Sequence, residues 1–375
     1  MGQLPESRRT QILEELRLRG TLRVTELSER LGVAPVTVRR DINQLAAEGV
    51  LRRIHGGAAL DAPAASPASP LGGGDAPAGC LGMLVPSLAY YWPGIIQGAR
   101  EEADERNLRL LLRGTSYEST DDRAQLSHLI QAGAQGLIIA PSMTTHATGE
   151  LLEWLAGEGT PFVLVEREAF LPGTREAVES VNTDHLTGAG AAVRHFASMG
   201  HSRIGLAAGL GSPHSARIRE GWQAALEELD LGRADVDVTL ARAGESHFDP
   251  PVSEVVQRCL DTGTTALLVH ADREAIAVVQ YCQKQDIRVP EDLSIIAYDD
   301  EVAGLFSPSL TAVRPPRHSI GRAVVSLIAE RLRDPQRPTH RVLISPKLNV
   351  RDSVTRPDAR PVVGTPGSTA GSPAR

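Results

Sequence analysis

From Cys80 to about Val354, short apolar runs alternate with stretches whose apolar residues recur every three or four positions. The runs Leu81–Val85, Leu108–Leu112, Gly136–Ala140, Phe162–Val165, Ile204–Ala207, Ala266–His270 and Leu293–Tyr298 read as strands. Between them, "PGIIQGAREEADERN" and "REGWQAALEELD" carry the spacing of amphipathic helices. Alternation of this kind predicts an α/β fold with parallel sheets covered by helices on both faces, and the length of the segment predicts two lobes. Folds of this type bind ligands where loops gather at the C-terminal ends of the strands.

The N-terminal pattern is different. In "PESRRTQILEELRLRG", Ile12, Leu13 and Leu16 share one helical face, and Gly20 ends the helix. "VTELSERLG" predicts a second short helix ending at Gly32. "APVTVRRDINQLAAEG" predicts a third, with Pro35 in its first turn and Gly49 at its end. Val50 to Ile54 then has the spacing of a short strand before a Gly-Gly turn. Residues 59–79 hold seven Ala, four Pro and four Gly, too little apolar surface to offset the entropy of ordering, and predict a flexible linker. The segment from about Thr355 to the end, closing with "GTPGSTAGSPAR", has the same character.

Charge sharpens this division. The chain has a formal net charge of −7, yet residues 1–57 contain ten Arg, no Lys and seven acidic residues, a net of +3. One basic end on an acidic chain is the pattern expected where that end meets a polyanion. The three cysteines, Cys80, Cys259 and Cys282, have neither disulfide-framework nor zinc-ligand spacing and are expected to be inert thiols. No apolar run reaches the length of a membrane span, and the first residues lack the apolar core of a secretory signal. A cytoplasmic protein without a metal or cofactor is expected.

On the third helix, Val38, Ile42 and Leu45 fall at i, i+4 and i+7 and are expected to face the other helices. The opposite side carries Val36, Arg39, Arg40, Asn43 and Gln44, with Thr37 on its flank. Arginine can grip guanine with two hydrogen bonds, asparagine and glutamine can do the same to adenine, and a valine methyl can meet thymine. Two short helices before a basic third form a helix-turn-helix layout, and the strand after it would set Arg52, Arg53 and His55 against phosphate. The bland alternative is a solvated basic face on a small bundle.

The run "TVRRDINQL…EGVLRRIHGGA", within a segment covering residues 1–58, resembles the winged helix-turn-helix of DeoR-type bacterial transcription regulators. Ala34 departs from that family, which usually has a serine cap before the recognition helix; the missing hydroxyl costs about 1 kcal/mol. Residues 80–354 do not resemble the usual DeoR partner domain. "GMLVPSLAYYWPGIIQGAREEADERN", "HFASMGHSRIGLAAG", "SARIREGWQAAL" and above all "VPEDLSIIAYDD…SPSLTAV" resemble the sensor domain of LacI/GalR regulators, itself similar to periplasmic sugar-binding proteins. This resemblance implies two similar lobes, a ligand in the cleft between them and homodimers or higher homo-oligomers.

Residues at the predicted strand ends agree with a sugar site, which needs charged groups for hydroxyls and an aromatic surface for ring faces. The candidates are Ser87, Tyr91 and Trp92 after the first strand, Glu166 and Arg167 after the fourth, Arg217 and Arg219 opening a helix, Asp272, and Asp299. By resemblance Asp299 matches the family's ligand-binding Asp, and either Arg217 or Arg219 its ligand-binding Arg. Where the family often has Asn-Asp this chain has Ala271–Asp272. "GLGSPHS" lacks the third glycine of a dinucleotide fingerprint. The reading is a regulator, not an enzyme, that binds operator double-stranded DNA and a small-molecule effector, a sugar. The alternatives are a sugar-binding protein without a DNA role and a nicotinamide-dependent or sugar-phosphate enzyme.

Overall fold

The computed structural model describes residues 21–23, 28, 33, 35–47, 51–54, 57–59, 78–115, 122–142, 146–232, 235–240 and 252–357. The first expected helix, most of the second, Ala34, His55, residues 60–77 of the expected linker and the tail from residue 358 lie outside them.

The described N-terminal elements are β1 (Thr21–Arg23), α1 (Pro35–Ala47), β2 (Arg52–Ile54) and β3 (Gly57–Ala59). The three strands form an antiparallel sheet in the order β1-β3-β2. Ahead of α1, Ser28 Oγ donates to the Val33 carbonyl at 2.6 Å, and Val33 N donates to the Ser28 carbonyl at 3.2 Å. As the periodicity requires, Val38, Ile42 and Leu45 are buried, and Val36, Arg39, Arg40, Asn43 and Gln44 are exposed, Val36 by 70%. Thr37 is intermediate, on the flank of that face. Asp41 is buried on the apolar side, away from the polar face.

The chain continues through β4 (Gly79–Val85), α2 (Trp92–Glu105), β5 (Leu108–Gly114), α3 (Asp122–Gln131), β6 (Gly136–Ile139), α4 (His146–Glu158), β7 (Phe162–Val165), β8 (Ser180–Thr183), α5 (His185–Ser198), β9 (Ile204–Gly209), α6 (Ser215–Glu228), β10 (Asp237–Leu240), α7 (Val252–Thr262), β11 (Ala266–Val269), α8 (Asp272–Lys284), β12 (Ser294–Tyr298), a 3₁₀ turn (Ala303–Leu305), β13 (Thr311–Arg314), α9 (Arg317–Arg333), β14 (Arg341–Ile344) and β15 (Lys347–Asn349). Two six-stranded sheets result, ordered β14-β8-β7-β6-β4-β5 and β10-β9-β11-β12-β13-β15. In the second sheet every neighbouring pair is parallel except β13 with β15. The fold is α/β, and all seven strands expected between Leu81 and Tyr298 form to within a few residues of their expected bounds.

β8, β10, β13 and β15 carry no such apolar run, and β14, Arg-Val-Leu-Ile, has one of only three residues. Each is three or four residues long, and β8 reads Ser-Val-Asn-Thr. β8 is buried at all four positions, between β7 and β14. It is held there by backbone pairing that neighbouring strands supply, which a periodicity search cannot see.

The chain divides into two compact units, residues 1–163 with 325–337, and residues 164–324 with 338–375. Within the second unit, side-chain alternation along the strands builds two cores. Ala207, Leu267, Val269, Ile295 and Ala297 face the layer holding α7 and α8. Leu206, Ala208, Leu268, Ile296 and Tyr298 face α5 and α6. The helices α5 and α6 meet through Gly221, where a Cβ would fall within van der Waals contact of the Leu186 carbonyl carbon and oxygen. That obstacle is backbone and cannot swing aside. Gly221→Ala is therefore expected to lower unfolding free energy by about 3 kcal/mol, read as a reduced urea midpoint. A wild-type midpoint would show that the two helices can separate at little expense.

Candidate functional site

In the second unit, parallel pairing of β9, β11 and β12 brings their C-terminal ends side by side. The chain leaves β12 into Asp299, whose φ of +95° lies in a region that L-residues rarely adopt. Three other groups hold that corner. Asp272, fully buried at the start of α8, accepts Asp300 N at 3.1 Å on Oδ1, and Glu301 N, Val302 N and Ala303 N at 2.7, 2.8 and 3.1 Å on Oδ2. Arg317 Nη1 donates to the Asp299 carbonyl at 2.6 Å, and its Nη2 pairs with Glu301 at 2.6 Å. Asp300 is tied to Arg351 at 2.8 Å and to Asn349 Nδ2 at 2.6 Å. Burial pushes the Asp272 carboxyl above its usual range, and the four N–H donors oppose that shift.

A second group gathers where β7 and β8 end. Glu166, 1% exposed and with φ of +54°, accepts Thr183 N at 3.2 Å and Thr183 Oγ1 at 2.7 Å. Its Oε2 lies 3.5 Å from His185 Nε2. His185 opens α5, which Asp184 caps by accepting Thr187 N at 3.0 Å. The other imidazole nitrogen, His185 Nδ1, is 3.1 Å from the Tyr298 hydroxyl. Gly188 makes that approach possible, since a Cβ there would stand 2.6 Å from the same hydroxyl. His214 stacks on His185 with ring centroids 4.2 Å apart, and His270 meets the Tyr298 ring edge-on at 5.6 Å. Glu168, two residues on, bridges Arg217 and Arg341 at 2.8 Å each.

Electrostatics follow from this crowding. Burial first, then the charges of Asp299, Glu166 and Asp184, push the Tyr298 phenol well up, so it stays protonated. Burial also pushes His214 well down, aided by His185, Arg167 and His270, and takes His270 down to about 3.

Of the residues expected from sequence, Glu166, Arg167, Arg217 and Asp299 lie at strand ends or at the head of α6 in this unit. Arg167 is buried, with Nη1 on the Glu166 carbonyl at 2.6 Å. Other expected residues have different surroundings. Arg219 turns away: two positions along a helix is about 200° of rotation, and its Nε pairs instead with both Asp237 oxygens at 2.8 and 3.0 Å. Asp272 spends its oxygens on backbone N–H groups and shapes the site without facing it. Tyr91 and Trp92, in the first unit, are 8% and 1% exposed; Trp92 opens α2 and does not stand on an open loop. Ser87, also in the first unit, closes a local turn by accepting Ala89 N at 3.1 Å. His185, His214, His270 and Tyr298 were not anticipated as site residues. The available signal was that His270 and Tyr298 end predicted strands.

The N-terminal sheet with α1 and the α/β part with its polar strand-end site match two separate domain models. Residues 8–64 match the DeoR-like helix-turn-helix domain, and residues 193–354 match the periplasmic binding protein-like domain. The chain is 25% identical over 279 residues to the HTH-type transcriptional regulator DegA of Bacillus subtilis, covering 73% of this chain and 80% of that protein. It is 28% identical over 284 residues to the HTH-type transcriptional repressor PurR of Haemophilus influenzae, covering 73% and 81%. In fold it resembles a LacI family transcriptional regulator from Enterococcus faecium solved with bound ribose, with a TM-score of 0.59, 22% identity and coverage of 74% and 99%. The chain thus carries a match to the DeoR-like helix-turn-helix domain ahead of a match to the periplasmic binding protein-like domain. Among the described residues, no helix is long and apolar enough to cross a membrane.

Folding holds several imidazoles neutral. His201, bridging Thr265 Oγ1 and the Thr355 carbonyl at 2.8 Å each, and His195 are also lowered by burial. Their folded values, like those of His214 and His270, lie below the unfolded value of about 6.5. The unfolded state therefore binds more protons, so this stability is present above about pH 6.5 and is lost as pH falls, down to about 3 for His270. Urea midpoints measured from pH 7 to pH 4 are expected to fall steadily. A flat or rising profile would mean that these histidines are not held neutral.

Proposed function

We propose that the chain represses a sugar uptake or catabolism operon and that a sugar in the second unit's site alters its grip on DNA. The observation that carries the sugar is the pair of buried carboxylates, Glu166 and Asp299, at the ends of parallel strands and both on left-handed backbone. Carboxylates in such positions accept hydroxyl hydrogen bonds, and strained backbone that the surrounding structure maintains is concentrated at binding sites. Arg167 and Arg217 are the donors in this reading. The bound ribose of the Enterococcus faecium relative supports a pentose as the first candidate. The protein acts in the cytoplasm as a homodimer or higher homo-oligomer and catalyses no reaction on its effector. Residues 1–58 form the DNA-binding domain, 59–79 the linker and 80–354 the sensor domain.

DNA is read by the exposed face of α1, with Arg39, Arg40, Asn43, Gln44, Val36 and Thr37 toward base edges and Arg52, Arg53 and His55 toward phosphate. The effector shifts DNA affinity only as far as it binds the DNA-competent and DNA-incompetent states differently, and the coupling is reciprocal.

Two experiments test the two halves. Arg39→Ala and Arg40→Ala are each expected to weaken binding to the protein's own upstream DNA by about 1–3 kcal/mol at fixed salt, measured by fluorescence anisotropy. Operator affinity equal to wild type in both variants removes α1 as the reading helix. For the effector, calorimetry with ribose and other pentoses and hexoses is expected to give one site per chain. Asp299→Ala should weaken it roughly 10- to 100-fold per hydrogen bond lost while leaving the melting temperature near wild type. A variant with reduced melting temperature and intact affinity would make Asp299 a structural corner residue.

A further inference from the structure

The histidine cluster is more than a sugar site requires. Glu166, His185 and His214 each present a ligand atom, and these atoms all lie within 4.8 Å of one another. They arrive from three separate places: the end of β7, the head of α5 and the loop before α6. His185 is 4% exposed, and its Nε2 has no hydrogen-bond partner. When Nδ1–H donates to the Tyr298 oxygen, the Tyr298 hydroxyl is free to donate to the His185 carbonyl, 3.5 Å away. The Nε2 lone pair then faces Glu166 Oε2 at 3.5 Å, acceptor against acceptor. A cation between them turns that repulsion into two bonds.

We propose that Glu166, His185 and His214 bind a divalent first-row transition ion, zinc above all. Two imidazoles and a carboxylate form a donor set that such ions take with one position left for water or a ligand oxygen. Tyr298 supplies what metal-binding histidines use, a hydrogen-bond partner on the far ring nitrogen that fixes tautomer and orientation. Thr183 does the same for the carboxylate through its two bonds to Glu166. Tetrahedral zinc holds its donor atoms about 3.3 Å apart, so the triad must draw in by at most about 1.5 Å. His214 is the N-terminal flanking residue of α6, outside the helix's hydrogen-bonded body, so it is the member whose backbone is least fixed by regular structure. Among nearby charges, Asp184 and Asp299 favour a cation and Arg167 opposes it. The ion's open position would be where the effector or a water adds the fourth donor.

The test uses the full chain, stripped with a chelator and kept free of DNA and sugar, so its outcome is independent of the effector assignment. Zinc titrated calorimetrically is expected to bind one ion per chain and to raise the melting temperature. Cobalt(II) is expected to give the strong visible absorption of a four-coordinate site. His214→Ala, in a partly exposed loop, and Glu166→Gln, which keeps an oxygen for Thr183, should each weaken zinc binding at least about 10-fold and abolish the zinc-dependent rise in melting temperature. Absence of saturable zinc binding to the wild-type chain overturns the proposal. So does binding that both variants retain, which would place the ion on other histidines. A chain that binds zinc but no sugar sinks only the sugar reading, and one that binds sugar but no zinc sinks only the metal.

Discussion

The Asp272 carboxylate is the constraint on which the effector side of the molecule depends. Four successive backbone N–H groups, those of residues 300 to 303, converge on its two oxygens. That convergence is possible only if the chain turns sharply after β12, and the turn is what puts Asp299 at a φ of +95°. A buried carboxylate without partners would be protonated or expelled; with four donors it becomes the anchor of a corner. Arg317, the first residue of α9, completes the arrangement by binding the Asp299 carbonyl and Glu301 at once. The corner is over-determined, so the unusual backbone at Asp299 persists.

The rest of the site is arranged by parallel pairing. Adjacent strands that run in one direction release their chains at one edge, so His270 and Asp299 emerge from neighbouring strands of one sheet. Polar groups collected there are buried, and burial sets their chemistry. The Tyr298 phenol remains protonated and His270 remains neutral, so the site offers hydroxyl and imidazole groups together with the carboxylates. Arg217 and Arg341 share Glu168 at the margin of this group, and Arg217 also pairs with Glu220 at 2.9 Å.

Local and long-range physics divide what could be read from the chain. The faces of α1 were legible because helical geometry is local. Residues at i, i+4 and i+7 share a side whatever the helix packs against, so Val38, Ile42 and Leu45 had to be buried once a core existed. The main strands were legible for the same reason, since an apolar run long enough to fill a sheet interior announces itself. The assignment of Asp299 and Glu166 to strand ends followed directly. β8 and β10 were not legible, because their stability comes from neighbours that supply pairing partners.

Sequence alone therefore determined the α/β alternation, the exposed polar face of α1 and the strand ends at which Glu166 and Asp299 stand. Only tertiary structure decided which side chains meet there. His185 reaches Tyr298 across 113 residues of chain, and Asp272 reaches its N–H donors across 28 to 31. Nothing in local spacing encodes either meeting. The choice between Arg217 and Arg219 was likewise open until α6 was placed, when Glu168 drew the first and Asp237 the second to different sides of one helix. Helical and strand periods act over a few residues and are written in the chain; the convergence of polar groups depends on sheet order and helix packing, which only the folded molecule supplies.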